Sequence, residues 1–181
     1  MKKLLSVLLC FMLILGLAAC KSKSDSDPTS SAEPIPAVGG IITDASMNTV
    51  TLETGDKILY TFSTEDADKS QSKGLETGSA VWVYYTGSVT QSGDTSGATV
   101  TKIVQTEEKT LAGTVNEGSS MNNLVVDTED GKTESFFPGV ADTSKVTGLA
   151  GGTTVTVTYA DNPEVPAAYQ RIVLKIEQPA A

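Results

Sequence analysis

Few side chains in this sequence of 181 residues could carry out catalysis. The chain has no histidine and two cysteines, so the commonest general base and the commonest neutral metal ligand are missing. Ser70 and Lys73 have the spacing of a serine nucleophile and its lysine base, but in a later related segment Ser144 is followed three positions on by Thr147. A solvated loop explains the serine and lysine better. We therefore predict no enzyme activity, no catalytic residue and no cofactor.

Two acidic clusters are the candidates for metal binding, Asp66 with Asp68 and the run from Asp127 to Gly131. A calcium loop of the EF-hand type needs alternating oxygen ligands, a glycine at its sixth position and a glutamate at its twelfth. Neither cluster supplies that set, and aspartate and glycine favour tight turns in any case. No metal site is predicted, and weak calcium binding at an acidic surface is the alternative.

The candidate binding surface is an aromatic pair, Trp82 and Tyr84. Both lie on one face of a strand predicted at 79–87, and the later related segment has Thr156 and Thr158 at the matching positions. An exposed aromatic pair can stack on a sugar ring or a partner protein. The alternative is that the pair packs against the other half of the folded region, since tryptophan is also a good core residue.

The N-terminus predicts where the mature chain is located. A basic start, an apolar run from Leu4 to Leu17 and small residues after it are typical of a secretory signal, and the run is too short to span a bilayer. The sequence Leu-Ala-Ala-Cys at 17–20 resembles the lipobox of bacterial lipoproteins. The resemblance implies a signal peptide at 1–19, a lipid on the Cys20 thiol and attachment to the extracytoplasmic face of the bacterial cell membrane. The alternatives are an ordinary secretory signal with a chance cysteine, or a small N-terminal anchor.

The segment that follows, 20–37, is rich in serine, aspartate and proline, which predicts a disordered tether. Loss of the signal peptide removes Lys2 and Lys3, so 13 basic residues become 11 against 22 acidic ones. Nucleic acid is excluded as a partner because binding to phosphates depends on clustered cations. Cys10 leaves with the signal and Cys20 would carry lipid, so no disulfide is expected.

An internal repeat organises the rest of the chain. Ser46-Met47-Asn48 recurs as Ser120-Met121-Asn122, an offset of 121 − 47 = 74. At this offset, nine of the 19 residues from 67 to 85 are identical in the second copy. In the first copy they are Ala67, Asp68, Ser70, Gly74, Leu75, Gly78, Val81, Val83 and Tyr85. We therefore predict two tandem domains, at 38–106 and 110–178.

Period-two alternation dominates each copy and predicts an all-β fold. The first copy shows three strands, a short helix or irregular crossover from Ser63 to Gly74, and two further strands. This order resembles the OB-fold, a five-stranded small barrel, although SH3-like barrels and short sandwiches carry similar patterns. The resemblance implies two tandem OB-like barrels, each with at most one short helix. It rests on these positions: Gly40, Gly113, Gly74-Leu75, Gly78, Gly148-Leu149, Gly152 and the strand ends Ile103 and Ile176.

The expected function is that of a membrane-anchored lipoprotein of the cell envelope, a non-catalytic module that binds a glycan or an envelope protein. The alternative is a structural spacer with no small-molecule ligand. An exposed Trp82 would favour the binding module, and a buried Trp82 would favour the spacer.

Overall fold

A computed structural model describes residues 36–120, 122–166 and 170–179. The predicted signal peptide, Cys20 and the tether up to residue 35 lie outside the described residues. The described part is all-β and forms two six-stranded sheets in tandem. It contains no helix with the length and apolar character needed to cross a membrane.

Both sheets are built from six consecutive strands. The first sheet contains β1 (Ala37–Ala45), β2 (Thr49–Glu53), β3 (Leu59–Ser63), β4 (Asp68–Gln71), β5 (Ala80–Gly87) and β6 (Ala98–Val104). The second contains β7 (Glu108–Val115), β8 (Leu124–Asp127), β9 (Thr133–Phe136), β10 (Asp142–Lys145), β11 (Thr154–Asp161) and β12 (Arg171–Glu177). The strand orders are β3-β2-β1-β5-β6-β4 and β9-β8-β7-β11-β12-β10, so the topology is the same in both sheets.

The strand registers repeat as well. Gly40 lies opposite Val81 where β1 pairs with β5, and Gly113 lies opposite Val155 where β7 pairs with β11. Val81 and Val155 therefore occupy corresponding strands at the offset of 74 that the sequence indicates. Each sheet has its own apolar core, made in the first from β1, β2, β3, β5 and β6 and in the second from the matching strands.

Gly40 and Gly113 allow neighbouring strands to come close. A Cβ atom on Gly40 would lie 2.7 Å from the carbonyl oxygen of Glu53, and one on Gly113 would lie 2.5 Å from that of Asp127. Both carbonyls belong to backbone and cannot move aside easily. Glycine at the start of each copy is therefore a packing requirement that the two sheets share.

The predicted short helix between the third and fourth strands is absent, and each sheet has six strands rather than five. The segment instead forms a short strand, β4 or β10, parallel to β6 or β12. The backbone N–H of Ser70 donates to Asp68 Oδ1 at 2.9 Å, and Ser144 donates to Asp142 in the same way at 2.9 Å. Asp68 and Asp142 thus bond to the backbone two residues on, which competes with helix formation in this segment.

Candidate functional site

Trp82 and Tyr84 lie in the interior between the two sheets. Trp82 is 0% exposed and Tyr84 is 3% exposed. Both belong to a third apolar cluster that combines residues of β5 and β6 with Ala160, Val165 and Ile172 from the second copy. The pair therefore does not form an exposed surface, and the structure has the alternative arrangement, in which it packs against the other copy.

Polar contacts surround this cluster. The side-chain amide of Asn162 donates to the hydroxyl of Tyr84 at 3.0 Å, and this hydrogen bond is buried. Lys102 Nζ lies 4.2 Å from the centre of the Tyr84 ring and 3.3 Å from Glu164 Oε2. The Asn162–Tyr84 and Lys102–Glu164 contacts each join a residue of the first copy to one of the second. The Lys102–Tyr84 contact lies within the first copy. The buried hydrogen bond between Asn162 and Tyr84 is directional, so it helps to fix how the two copies are oriented at an otherwise apolar contact.

A second contact between the copies involves two loops. A Cβ atom on Gly55, in the turn between β2 and β3, would lie 2.6 Å from Cδ1 of Phe137 in the second copy. A Cβ atom on Gly139 would lie 2.5 Å from Cα of Gly55. The aromatic ring and the backbone of one loop thus rest directly on the backbone of the other, which only glycine permits at this distance.

A cleft of about 680 Å³ lies between the two sheets. Both contacts contribute to its lining, through Gly39 and Ile172 beside Trp82 and through Gly55 and Phe137 at the loops. The remaining walls include parts of β1, the β2–β3 turn, the loop after β5 and the start of β12. Its volume falls in the range of small-molecule sites, which often form where packed units meet.

The charged and polar side chains of the cleft come from both copies. Asp56, Thr90 and Gln91 are exposed residues of the first copy, and Arg171 belongs to the second. Arg171 Nη1 donates to Glu134 Oε2 at 2.7 Å, which fixes the guanidinium group. The guanidinium carbon also lies 5.4 Å and 5.6 Å from the ring centres of Phe136 and Tyr159, within cation–π range.

Ser70 and Lys73 lie outside the lining of the cleft. The side chain and backbone N–H of Ser70 both hydrogen-bond to Asp68 and lower the pKa of that carboxyl. Lys73 Nζ lies 3.7 Å from Glu107 Oε1. The two residues thus have separate partners, and neither contributes to the candidate site.

The acidic run after β8 is held by local hydrogen bonds. Asp127 accepts from Asn116 Nδ2 and from Thr133 Oγ1, both at 2.8 Å, and these bonds lower its pKa. Hydrogen bonds from Lys132 and Thr128 lower the pKa of Asp130 to about 2. Among the described residues there is no group of three or more metal-ligating side chains.

Sequence reasoning misses the cleft because its walls come from loops of different copies. The one available signal is Phe137. At the offset of 74 the buried Phe62 and Phe136 correspond, whereas the next residue is Ser63 in the first copy and Phe137 in the second. An aromatic residue that one copy lacks, next to a core position that both share, distinguishes this loop.

No family model and no curated protein matches the sequence. Five chains of solved structures do match. One of them, described as drosophila Unr CSD456, is 14% identical, covers 86% of this chain and 67% of its own, and has a TM-score of 0.31. At a TM-score of 0.31 this likeness carries no argument about the chain. The described residues form an all-β protein of two tandem six-stranded sheets.

Proposed function

We propose that this chain is a lipid-anchored, non-catalytic binding protein of the bacterial cell envelope and that its ligand site is the cleft between the two sheets. The observation that carries the proposal is the cleft of about 680 Å³, which contacts between the copies hold at two places. A cleft formed before the ligand arrives lowers the entropic cost of binding.

The proposed site differs from the aromatic pair named from the sequence as the candidate binding surface. Trp82 and Tyr84 act as packing residues that fix the angle between the copies. Phe137 and the polar residues at the rim of the cleft contact the ligand instead. Phe137 is 46% exposed, one of the few large apolar side chains with that degree of exposure among the described residues. Ligand-binding clefts are lined mainly by apolar and aromatic side chains, and Phe137 is one of those that line this cleft.

The finer fold assignment belongs to the same proposal, namely that each sheet curls into an OB-like barrel with one added strand. Its support is the closing side of the first sheet, where Thr95 Oγ1, just before β6, donates to the carbonyl oxygen of Thr61 in β3 at 2.5 Å. This hydrogen bond joins β3 to the loop that leads into β6, and β3 and β6 are not neighbours in the sheet order. Partly open closure of this kind is a property of OB-folds.

The cellular setting follows from the sequence. The lipobox-like segment ending at Cys20 attaches the protein to the membrane, and the tether at 20–37 lets the folded part extend away from the membrane surface. One acyl chain gives marginal anchoring and two or more give stable anchoring. The excess of acidic residues disfavours nucleic acid, so the partners proposed are the membrane, through Cys20, and an envelope glycan or protein in the cleft.

One observation favours a second candidate function, that of a structural spacer. Trp82 joins the two copies through a buried apolar cluster, which would give a stiff unit between the tether and the C-terminus. A spacer needs no ligand. The two functions therefore differ in whether a ligand binds in the cleft.

The test is capture of envelope material by the full chain purified in detergent. We compare the wild type with Phe137→Ala and with Met47→Ala, a matched control because Met47 is 88% exposed and outside the cleft. The proposal predicts one envelope component that the wild type and Met47→Ala retain and Phe137→Ala loses. Equal capture by all three proteins, or no capture, would leave only the spacer.

A further inference from the structure

We infer that the cleft binds an extended protein segment, which adds as a strand to the β1 edge and places a lysine or arginine beside Asp56. The β1 edge is the side of residues 37–40 that faces away from β5. This ligand class belongs to the site of the proposed function, on which the inference rests.

The first half of β1 is paired on one side only. β5 pairs with β1 from Ala37 to Ile41, whereas β2 joins β1 no earlier than Ile41, opposite Glu53. After Glu53 the chain leaves the sheet through the turn at 54–58. Among the described strands, none therefore occupies the place beside 37–40 that a longer β2 would fill, and these residues line the cleft.

The main-chain groups of Ala37 and Gly39 point to this open side. In an antiparallel ladder, successive residues direct their N–H and C=O groups to opposite sides of the strand. The carbonyl oxygen of Pro36 accepts from β5 at 3.1 Å, and the N–H of Ile42 donates at 2.9 Å to the residue just before β5. Even-numbered positions of β1 therefore face β5. Ala37 and Gly39 face away from it, with two donors and two acceptors.

Unpaired groups on a strand edge are a template for another strand. Ala37 and Gly39 are two residues apart, so their donors and acceptors repeat at about 6.8 Å, the repeat of an extended chain. A peptide matches them with every second residue of its own backbone, and such main-chain hydrogen bonds give the affinity in strand addition. A glycan has no main chain of N–H and C=O groups, so the β1 edge favours a peptide over a sugar.

Asp56 supplies the charge of the site. It is exposed, lies in the turn that follows β2, and lines the cleft. The other charged residue of the lining, Arg171, is already offset by Glu134 at 2.7 Å. The cleft thus has one negative charge to balance, and a lysine or arginine of the segment supplies the opposite charge.

A cation without a peptide chain fits the cleft less well. Among the described residues there is no group of three or more metal-ligating side chains. A single exposed ion pair to Asp56 adds little affinity. The charge therefore selects among peptides, and the β1 edge binds them.

Apolar side chains on the cleft walls suit the alternating side chains of a strand. Tyr60, Tyr85 and Val89 line the cleft from the first copy, and Phe137 and Val140 line it from the second. In strand addition, apolar walls of this kind accept every second side chain and set the sequence preference. The segment therefore alternates apolar residues with polar ones, one of which is the basic partner of Asp56.

The other open edge in the cleft is less suitable. The start of β12, residues 171–173, pairs only with β11, since β10 joins β12 at Lys175. Here Arg171 reaches across to β9, where its Nη1 donates to Glu134 at 2.7 Å and to the carbonyl oxygen of Ser135 at 3.5 Å. These contacts bridge that edge within the second copy, so the segment belongs to the β1 edge.

The first test uses pools of capped hexapeptides as probes for the full chain in detergent. Each pool has valine at alternate positions and a fixed lysine, threonine or glutamate between them. We expect the tightest binding to the lysine pool and the weakest to the glutamate pool. Asp56→Asn should reduce the lysine preference about two- to fivefold, the loss of an exposed ion pair. Met47→Ala, outside the cleft, should bind as the wild type does.

N-methylation of the best peptide tests strand addition itself. Methyl groups on every second nitrogen remove the donors on one side of the peptide only. We expect one methylated set to lose binding at least tenfold and the alternate set, whose N–H groups face away from β1, to retain it. Equal binding of the two sets, or equal loss, would overturn the inference.

A variant of the chain tests the same hydrogen bonds from the other side. Ala37→Pro removes an N–H that faces the cleft and keeps the bonds to β5, and the first residue of a strand tolerates proline. Peptide binding should weaken about three- to tenfold, the loss of one main-chain hydrogen bond, at an unchanged melting temperature. Unchanged binding would contradict the inference, and the N-methylated peptides decide the matter should this variant be destabilised.

The remaining results separate the inference from the proposed function. Free lysine amide that binds as tightly as the peptide would mean that the cleft takes a small cation. Binding of peptide-free cell-wall glycan strands alone, lost in Phe137→Ala, would mean that it takes a sugar. Either result overturns the inference and leaves the cleft as the ligand site. No binding of any probe also overturns the inference, and the envelope capture described above then decides the proposed function separately.

Discussion

At the scale of single residues, Trp82 shows why the two copies differ in sequence. All residues of β5 from Ala80 to Tyr85 are buried, because the second sheet covers the face of β5 that would otherwise be exposed. In β11 the matching Thr156 and Thr158 are only partly buried. A strand covered on both faces needs apolar residues on both, so the aromatic pair marks the contact between the copies and not an open surface.

Replacement of Trp82 by threonine tests this role. Threonine is already present at the matching position of β11, so loss of strand propensity does not explain an effect. We expect a loss of about 3–5 kcal/mol in the free energy of unfolding, the range for removal of a large buried aromatic side chain. Denaturant unfolding of Trp82→Thr and of the surface control Met47→Thr measures it. A loss under about 1 kcal/mol would contradict the burial.

The hydroxyl of Tyr84 gives a second prediction. Tyr84→Phe removes the partner of the Asn162 amide and leaves that buried donor unsatisfied, which costs about 1–3 kcal/mol. In a double-mutant cycle with Asn162→Ala the two losses should not add, because they remove one shared interaction. Additive losses in denaturant unfolding would mean that the hydrogen bond contributes nothing.

At the scale of strands and loops, most of the fold is predictable from the sequence and the added strand is not. Alternation of apolar residues locates β1, β2, β3, β5 and β6 of the first copy because a half-buried strand has a period of two. The segment from Ser63 to Gly74 carries the signals of a helix start, but its acidic residues cap turns of the backbone instead. The cleft is not predictable, since it depends on how Gly55, Phe137 and Arg171 meet across two copies.

The opening strand β1 offers a prediction at this scale. A Cβ atom on Gly39 would lie 2.8 Å from Trp82 Nε1 and 3.3 Å from Ile172 Cδ1. Gly39→Ala should therefore displace the indole and destabilise the fold by about 1–3 kcal/mol. Gly148→Ala is the matched control, because nothing lies within 4 Å of its Cβ position. Equal stability of the two variants in thermal unfolding would show that the copies do not pack at Gly39.

The charges on β12 predict how stability depends on pH. Hydrogen bonds from Lys145 and Lys175, each at 2.8 Å, lower the pKa of Glu177 below its ordinary value of 4.5. A carboxyl with a lowered pKa in the folded state stabilises the fold above the unfolded pKa and loses that effect as the pH falls through the folded one. Stability should decline on acidification below about pH 4.5.

A glutamine variant isolates this contribution. Glu177→Gln should be less stable than the wild type at neutral pH and should show a shallower decline below pH 4.5, since it has no carboxyl to protonate. Glu76→Gln is the control, because Glu76 is exposed and forms no ion pair within the described residues. Parallel pH profiles for Glu177→Gln and the wild type in urea unfolding would contradict the assignment.

At the scale of the whole molecule, duplication followed by divergence explains the site. A domain of about 70 residues buries only about 60% of its unfolded surface and is marginally stable alone. The contact at Trp82 adds buried area to both copies, and the cleft exists only where the two copies meet. A site of this kind cannot form in either copy by itself.

The membrane anchor gives a prediction about the whole molecule. Cys20→Ala should leave the signal peptide uncut or release the protein from the membrane fraction, because the thiol is the proposed attachment point of the lipid. Mass spectrometry of the mature N-terminus, together with fractionation of cells, checks both outcomes. A wild-type protein that carries an unmodified Cys20 would refute the lipoprotein assignment.

Amide hydrogen exchange of the full chain in detergent, with and without solubilised envelope extract, tests most directly whether the cleft is the ligand site. We expect slower exchange on addition of extract at 54–58, 89–91 and 137–140, the loops that line the cleft, and no change in the exposed turn at 46–49. Slower exchange confined to other segments, or no change at any segment, would contradict it.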